Sequence, residues 1–291
     1  MNRYKSVNMA SIFGIIGNIF LLIIKGIIGF LTHSQSMIAD TFNSAGDILS
    51  SIMTFIGNKI ASKPIDNDHD LGHGKAEYIY SMLISLVMIV MSLIVLKDAI
   101  YSIFNNSKYN YSNWLIIVCI ITIIVKFSLY LYTNKLAKKQ KNLLIKANSI
   151  DHRNDCFITM CNLIACLFTR IDIYFIDGIV GSLISIWIII TSFYIFKESY
   201  DVLMDKSISD ETKKQVYDII KKYDDIKKVN HFNSTPIGYK YQISLTIYVD
   251  GSMTTFESHN IADKLEKEIT KDIDEIYLAV IHVNPINVDK L

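Results

Sequence analysis

Two apolar segments of the chain each carry a pair of oxygen-bearing side chains four residues apart. The pairs are Asn43 with Asp47, and Asp151 with Asp155. Residues at i and i+4 lie one above the other on one helix face, so two such faces in contact would bring four oxygen ligands together. Because buried carboxylates are costly without a nearby cation, the spacing predicts a divalent metal site. The alternative is that these aspartates cap helix ends or pair with Arg153.

A second group of ligand side chains lies in the loop at residues 64–77, which reads PIDNDHDLGHGKAE. Imidazole and carboxylate groups are common ligands of transition metals. We therefore expect a second cation site here, with Asp66, His69 and His73 as its ligands. The alternative is a solvated acidic loop that binds nothing.

The composition indicates which elements position these residues. Hydrophobic residues make up 51% of the 291 residues and charged residues 20%, and the mean hydropathy is +0.31. A spanning helix needs about 20 mostly apolar residues. Six segments meet this requirement, at residues 7–31, 37–61, 78–104, 113–132, 143–168 and 176–200. The net charge of +1 lacks the excess of basic residues that is typical of nucleic-acid-binding proteins. The four cysteines have no CxxC spacing that would suggest a thiolate metal site.

Basic residues in the short loops predict the orientation of these helices, because such residues stay in the cytoplasm. Only Lys108 and Arg170 lie on one side. Nine basic residues lie on the other, namely Arg3, Lys5, Lys59, Lys63, Lys75, Lys135, Lys138, Lys139 and Lys141. We therefore predict a multi-pass protein of the plasma or inner membrane, embedded in the lipid bilayer, with both termini in the cytoplasm.

The C-terminal part has a different composition, since residues 206–291 hold 26 charged side chains. Periodicity predicts helices at 209–223 and 254–270 and strands at 229–235, 239–249 and 276–283. Pro236 and Gly238 predict a turn between the first two strands, and Pro285 predicts the end of the third. We expect two domains: a six-helix transmembrane transport domain at 1–205, and at 206–291 a cytoplasmic α+β domain of ferredoxin-like α-β-β-α-β order for dimerisation or regulation.

Three separated motifs resemble the cation diffusion facilitator family. They are residues 39–47 (ADTFNSAGD), the loop at 66–77 with its GHGK core, and residues 150–155 (IDHRND). The resemblance covers nearly the whole chain and extends to HVNP at 282–285. It implies a homodimeric transporter that exports divalent transition metals from the cytoplasm in exchange for protons. The transport site would lie between the second and fifth helices, with no cofactor beyond the transported metal.

On this resemblance the transport ligands are Asn43, Asp47, Asp151 and Asp155. Zinc-exporting members commonly carry histidine at the positions held here by Asn43 or Asp151, and the all-oxygen set resembles the manganese-exporting branch. Imidazole suits zinc, whereas carboxylate and amide oxygens suit manganese, so the chemistry agrees. We expect Mn²⁺ as the substrate, with Zn²⁺, Fe²⁺, Co²⁺ and Cd²⁺ as alternatives.

Two neighbours of these ligands have less direct roles. His152 follows Asp151 and is turned about 100° from it on a helix, so we expect it to support the ligands from behind them. Asp40 lies one turn before Asn43 and either widens the outer pathway or caps the helix.

Other charged residues are assigned to coupling and anchoring. Lys75 and Asp205 match positions where family members form a charge interlock near the dimer interface, so we predict this ion pair within or between subunits. Lys126 is expected to reach the headgroups by snorkelling, and Lys25 either does the same or pairs inside the bundle.

The C-terminal domain retains part of a metal site. Three of its histidines match regulatory ligands of zinc-exporting relatives: His231, His259 and His282. Ser244 and Asn284, however, stand where a histidine and an aspartate are expected, so the domain is either a depleted metal site or only a dimerising unit. A membrane metal sensor with little transport is the rival from another class. An enzyme is disfavoured, because no Ser/His or HExxH arrangement is present.

Overall fold

The computed structural model describes residues 3–32, 35–105, 113–168 and 175–286. Up to Leu203 the described residues form six long helices, which cover the six predicted spans: α1 (Arg3–Thr32), α2 (Gln35–Ala61), α3 (Ala76–Asn105), α4 (Asn113–Gln140), α5 (Leu143–Phe168) and α6 (Phe175–Leu203). Within the described part, three stretches are long and apolar enough to cross a membrane by length and composition alone: Arg3–Ile28, Ala76–Tyr101 and Ile116–Gln140. The two pairs of candidate ligands lie on α2 and α5.

The chain divides into two compact units. The first comprises Met1–Lys63 and Ala76–Tyr200, and therefore contains α1 to α5 and α6 as far as Tyr200. The second comprises Pro64–Lys75 and Asp201–Leu291. The loop between α2 and α3 thus belongs with the C-terminal part of the chain, which its sequence pattern did not indicate.

The second unit has the predicted order of helix, two strands, helix and strand. Its elements are α7 (Asp210–Ile220), β1 (Lys228–Ile237), β2 (Lys240–Asp250), α8 (Thr255–Asp272) and β3 (Ile276–Ile286). The sheet order is β1-β2-β3, with β1 antiparallel and β3 parallel to β2. Ser209 caps α7 by accepting a hydrogen bond from the backbone N–H of Thr212, and Thr254 and Glu257 form a capping box on α8.

The core of this unit lies between the sheet and the two helices. The central strand β2 contributes Ile243, Leu245 and Ile247, which are buried together with Val216 of α7 and Leu265 of α8. Burial of a side chain of this size contributes about 1.5 to 3 kcal/mol, so this cluster is the main stabilising feature of the sheet.

Two predicted strand ends are wrong. Pro236 lies in β1 opposite Tyr241, and the turn consists of Gly238 and Tyr239, where Gly238 has a φ of +60°. The strand β3 continues through Pro285 to Ile286, where Pro285 lies opposite Val249. Proline is tolerated there because β3 is an edge strand, whose outer N–H groups pair with no neighbouring strand.

Candidate metal centres

The buried carboxylate of Glu77 fixes the start of α5, the helix that carries two of the candidate ligands. One oxygen of Glu77 accepts a hydrogen bond of 2.8 Å from the backbone N–H of Leu143. The other forms a 2.7 Å ion pair with Arg3, so the first residues of α1, α3 and α5 are tied together. Asn142 caps α5 through a 2.8 Å hydrogen bond from the N–H of Ile145 to its side-chain oxygen. Glu77 therefore positions a helix and is not available as a metal ligand.

Polar contacts hold α2 against α1 at the level of Asp47. The side-chain amide of Asn18 donates to the backbone carbonyl of Asp47 at 3.1 Å and lies 3.2 Å from the hydroxyl of Ser51. One turn earlier on α1, a Cβ atom added to Gly14 would lie 2.9 Å from the Ser51 hydroxyl. Glycine therefore allows the two helices to approach closely, as small residues do in membrane bundles.

Three of the four predicted transport ligands converge. Asp47 of α2 and Asp151 and Asp155 of α5 are buried, with 6 to 8% of each residue exposed. One carboxylate oxygen from each lies within 4.8 Å of the others. Oxygens that share one divalent cation bind it at about 2.0 to 2.6 Å, so their mutual separations cannot exceed about 5 Å. The group has the size of a ligand set for a single ion.

Lys126 of α4 is part of this group, and the prediction that it snorkels to the headgroups is wrong. Its ammonium lies 2.7 Å from Oδ2 of Asp47 and 2.6 Å from Oδ2 of Asp155, and its side chain is 1% exposed. A buried lysine needs such partners, because an unpaired ammonium is costly in an apolar interior. Lys25 is also buried and donates to the hydroxyl of Ser44 at 3.1 Å, which is the alternative predicted for it.

The carboxylates line a small cleft between α2, α3, α5 and α6, with a volume of about 30 Å³. Ser50 and Asn154 also line it, and the Ser50 side chain hydrogen-bonds to Asp151. Among the described residues, Oδ2 of Asp151 and the amide nitrogen of Asn154 have no hydrogen-bond partner. A cation entering this cleft would therefore find a free carboxylate oxygen at Asp151.

The remaining predicted residues of this site contribute less. His152 is fully buried, but neither ring nitrogen has a hydrogen-bond partner among the described residues, so the expected support of a ligand carboxylate is not seen. Its ring instead packs against Gly14 of α1. A Cβ added to that glycine would lie 3.6 Å from Nε2 of His152. Asn43 and Asp40 lie on α2 but outside the residues whose side chains the structure describes. Arg153 stacks over the Trp187 ring at 4.2 Å instead of pairing with an aspartate in the described part of the chain.

The loop at 64–75 brings its three predicted ligands together. Asp66, His69 and His73 each offer a ligand atom within 4.8 Å of the others. Nδ1 of His69 lies 2.9 Å from Oδ1 of Asp66, and Nε2 of His73 lies 3.3 Å from Oδ2. Nδ1 of His73 faces the carbonyl of Pro64 at 3.2 Å. This contact favours the tautomer in which Nδ1 carries the proton and Nε2 keeps its lone pair for a metal. The hydrogen bond from His69 holds the pKa of Asp66 below its usual value, so this carboxylate stays ionised at neutral pH.

Two further contacts hold this loop in the second unit. Lys75 and Asp205 form the predicted ion pair at 2.7 Å, within one chain. Gly74 packs against the β1–β2 turn, where an added Cβ would lie 2.8 Å from the Cα of Gly238. The exposed ion pair contributes only about 0 to 1 kcal/mol to the stability of this contact. The close packing of the two glycines therefore restricts the position of the loop more strongly than the ion pair does.

The three histidines of the C-terminal domain do not form a site within one chain. All three are exposed, and their ligand atoms do not converge within 4.8 Å, although every one of them lies in the described part of the structure. His231 has a φ of +51° next to a register shift in β1, and His259 lies 3.7 Å from Asp263. The predicted tail site therefore gains no support from the geometry of a single chain.

Comparison with known families gives the chain its class. A family model described as the cation efflux transmembrane domain matches residues 11–204, and a second, described as the cytoplasmic domain of cation efflux proteins, matches residues 208–286. The chain belongs to the cation diffusion facilitator family. It is therefore a membrane transporter of metal cations and not an enzyme, and its membrane domain of helices precedes a cytoplasmic α+β domain.

Several members of the family resemble the chain along its whole length. It is 28% identical to the manganese efflux system protein MneP of Bacillus subtilis, with 97% of each chain covered. It is 30% identical to MneS of the same organism, with 98% of this chain and 99% of MneS covered. The cation-efflux pump FieF of Shewanella oneidensis is 23% identical over 97% of this chain and 95% of its own.

Sequence reasoning missed the residues that surround the carboxylates of this cation efflux protein. Lys126 lies far along the chain from Asp47 and Asp155, and only its position as a lone charge in an apolar helix pointed to a role. Ser50 and Asn154 lie three residues after Asp47 and Asp151, on the same helix faces. The spacing of three residues from each aspartate is the signal that points to both.

Proposed function

We propose that this protein exports Mn²⁺ from the cytoplasm in exchange for protons, by alternating access around Asp47, Asp151, Asp155 and Asn43. The observation that carries the proposal is the convergence of three buried carboxylates on a cleft between helices. The described ligands of this cluster are all oxygens, which suit manganese better than zinc. The two similar Bacillus proteins described as manganese efflux systems support the same metal.

The proton exchange follows from the chemistry of the ligands. A carboxylate oxygen that binds a proton loses its charge and much of its affinity for a divalent cation. When the site faces the cytoplasm, the ionised carboxylates bind the metal. When it faces the outside, rearrangement and protonation release the metal, and the protons return inward with the empty carrier. Asp40, one turn from Asn43, belongs to the outer pathway in this scheme.

The remaining assignments concern the assembled protein. The cytoplasmic domain joins two copies into a homodimer, and the cluster of Asp66, His69 and His73 binds a second cation at the cytoplasmic mouth. The ion pair of Lys75 and Asp205 holds that loop to the cytoplasmic domain. The tail histidines, which do not converge within one chain, have at most a regulatory role that needs both subunits.

The test is metal flux into proteoliposomes that contain the purified protein and an imposed pH gradient. Manganese, zinc, iron, cobalt and cadmium are compared for the wild type and Asp155→Asn. The control is Asp98→Asn, since Asp98 is an exposed aspartate on α3 outside the cleft. We expect gradient-driven manganese flux that falls about a hundredfold in Asp155→Asn and stays unchanged in the control.

Three results would count against this function. Zinc carried in preference to manganese would overturn the choice of metal. Flux that ignores the pH gradient would overturn the proton exchange. Absence of any metal flux, with a dimer that still responds to metal, would favour a sensor instead of a transporter.

A further inference from the structure

The ammonium of Lys126 binds two of the carboxylates that the proposed function assigns to the metal. It lies 2.7 Å from Oδ2 of Asp47 and 2.6 Å from Oδ2 of Asp155, which are the distances of charge-assisted hydrogen bonds. Both aspartates belong to the cluster of three carboxylates, so the lysine is bound to two of its three members. The sequence resemblance assigned no role to this position in the site.

The ammonium and a metal ion compete for the same two carboxylates. A divalent cation binds carboxylate oxygens at about 2.0 to 2.6 Å, and the ammonium already engages a lone pair on Oδ2 of each aspartate. The two groups also carry charges of the same sign, which repel strongly at separations of about 4 Å in a medium of low dielectric constant. Metal binding to Oδ2 of Asp47 and Asp155 therefore favours withdrawal of the ammonium.

The free oxygen of Asp151 gives the exchange a starting point. Among the described residues, Oδ2 of Asp151 has no hydrogen-bond partner, and Asp151 lines the cleft. An entering cation can bind this oxygen first and then take over Asp47 and Asp155 as the lysine withdraws. Each aspartate has a second oxygen, so the ammonium can remain near the cluster after it has been displaced.

The charges of the cluster fit this exchange. Asp47, Asp151 and Asp155 carry three negative charges when ionised, and Lys126 reduces the sum to two. One divalent cation then brings these four groups to neutrality while the lysine stays close, and the buried Lys25 adds a further positive charge that acts on Asp155. A neutral cluster is the least costly one to carry through the interior of a membrane protein.

We propose that Lys126 is a tethered cation that competes with the transported metal for Asp47 and Asp155 and takes these oxygens back when the metal leaves. The inference rests on the proposed transport function and adds a residue that weakens metal binding so that release is fast. The simpler reading is that Lys126 only neutralises buried carboxylates and holds α4 to α2 and α5. The two interpretations predict different results when the charge of the lysine is removed. Competition predicts tighter metal binding, whereas a structural counterion predicts unchanged or weaker binding.

The experiment measures equilibrium binding of Mn²⁺ to the purified full-length protein in slightly alkaline buffer, together with flux at saturating Mn²⁺. The variants are Lys126→Met and Lys126→Gln, which remove the charge, and Lys126→Arg, which keeps it. The control is Lys146→Met, because Lys146 of α5 pairs with Glu198 at the exposed surface, where both side chains are 49% exposed. Thermal unfolding and size-exclusion chromatography check that each variant is folded.

Competition predicts that Lys126→Met and Lys126→Gln bind Mn²⁺ about tenfold more tightly, because a repelling charge has been removed. Their flux at saturating Mn²⁺ should fall, since release has become slower. Lys126→Arg should stay close to the wild type in affinity, and Lys146→Met should match it in both measurements.

Unchanged or weaker Mn²⁺ binding in folded Lys126→Met or Lys126→Gln would overturn the inference. So would failure of both uncharged variants to fold, since the lysine would then be a structural counterion. These results are separate from failure of the proposed function, which would appear as a wild-type protein that neither binds nor carries Mn²⁺.

Discussion

At the scale of single residues, the donor atoms of the buried cluster determine which metal it favours. Asp151 is the most informative position, because one of its oxygens has no partner in the described part of the structure and lines the cleft. The sequence resemblance also places a histidine here in zinc-exporting members. A change at this residue alters the donor type while Asp47 and Asp155 stay in place.

We therefore expect Asp151→His to shift transport from manganese towards zinc by about tenfold in the ratio of the two fluxes, since imidazole suits zinc. The measurement is zinc and manganese uptake by the same proteoliposomes. The matched control is Asp151→Asn, which keeps an oxygen donor and should lower both fluxes without favouring zinc. If the two variants showed the same metal preference, donor chemistry at this position would not set selectivity.

The convergence of the carboxylates was predictable from sequence, but the position of Lys126 was not. Spacing of four residues places Asp151 and Asp155 on one face of α5 whatever the rest of the fold does. Apolar side chains lie on every face of α4 around Lys126, and the two threonines that share its face, Thr122 and Thr133, are too weak a polar stripe to indicate which face turns towards the other helices. Only the packing of α4 against the bundle shows that this lysine reaches Asp47 and Asp155.

At the scale of elements, the loop before α3 depends on the turn between β1 and β2. Gly74 and Gly238 meet backbone to backbone, and a Cβ at Gly74 would come within 2.8 Å of the Cα of Gly238. Real Cβ atoms do not approach a backbone atom so closely, so a larger residue at position 74 must move the loop. The loop carries Asp66, His69 and His73, so its docking also holds the second candidate cation site.

We expect Gly74→Ala to release this loop and to speed trypsin cleavage after Lys75 about fivefold, which corresponds to about 1 kcal/mol of lost docking. The measurement is the rate of cleavage of the purified protein, followed by mass spectrometry. The control is Leu71→Ala in the same loop, where the side chain is exposed and should not matter. Equal cleavage rates for the two variants would show that the glycine contact does not hold the loop.

The order of elements in the cytoplasmic domain followed from periodicity and capping, whereas two strand ends did not. Periodicity predicts a helix that begins at residue 254, and the structure has a capping box of Thr254 and Glu257 at that point. Pro285 indicates a break only if a neighbouring strand needs a backbone N–H donor at that position, which proline lacks. That condition depends on β3 lying at the edge of the sheet, which is a property of the assembled domain and not of the local sequence.

At the scale of the whole molecule, the direction of transport depends on which side of the membrane the cytoplasmic domain occupies. The distribution of basic residues predicts that the loop between α4 and α5 lies inside the cell and that Lys108 lies outside. Export requires this orientation, because the candidate site formed by Asp66, His69 and His73 must meet metal from the cytoplasm.

A matched pair of cysteine substitutions tests this orientation in intact cells. With a membrane-impermeant maleimide, we expect Lys108→Cys to be labelled from outside and Lys139→Cys only after the cells have been opened, because Lys139 belongs to the basic cluster that stays in the cytoplasm. The unsubstituted chain is the background control, and its described cysteines, Cys119, Cys156 and Cys161, are buried. The reverse labelling pattern would place the cytoplasmic domain outside the cell and would turn the proposed exporter into an importer.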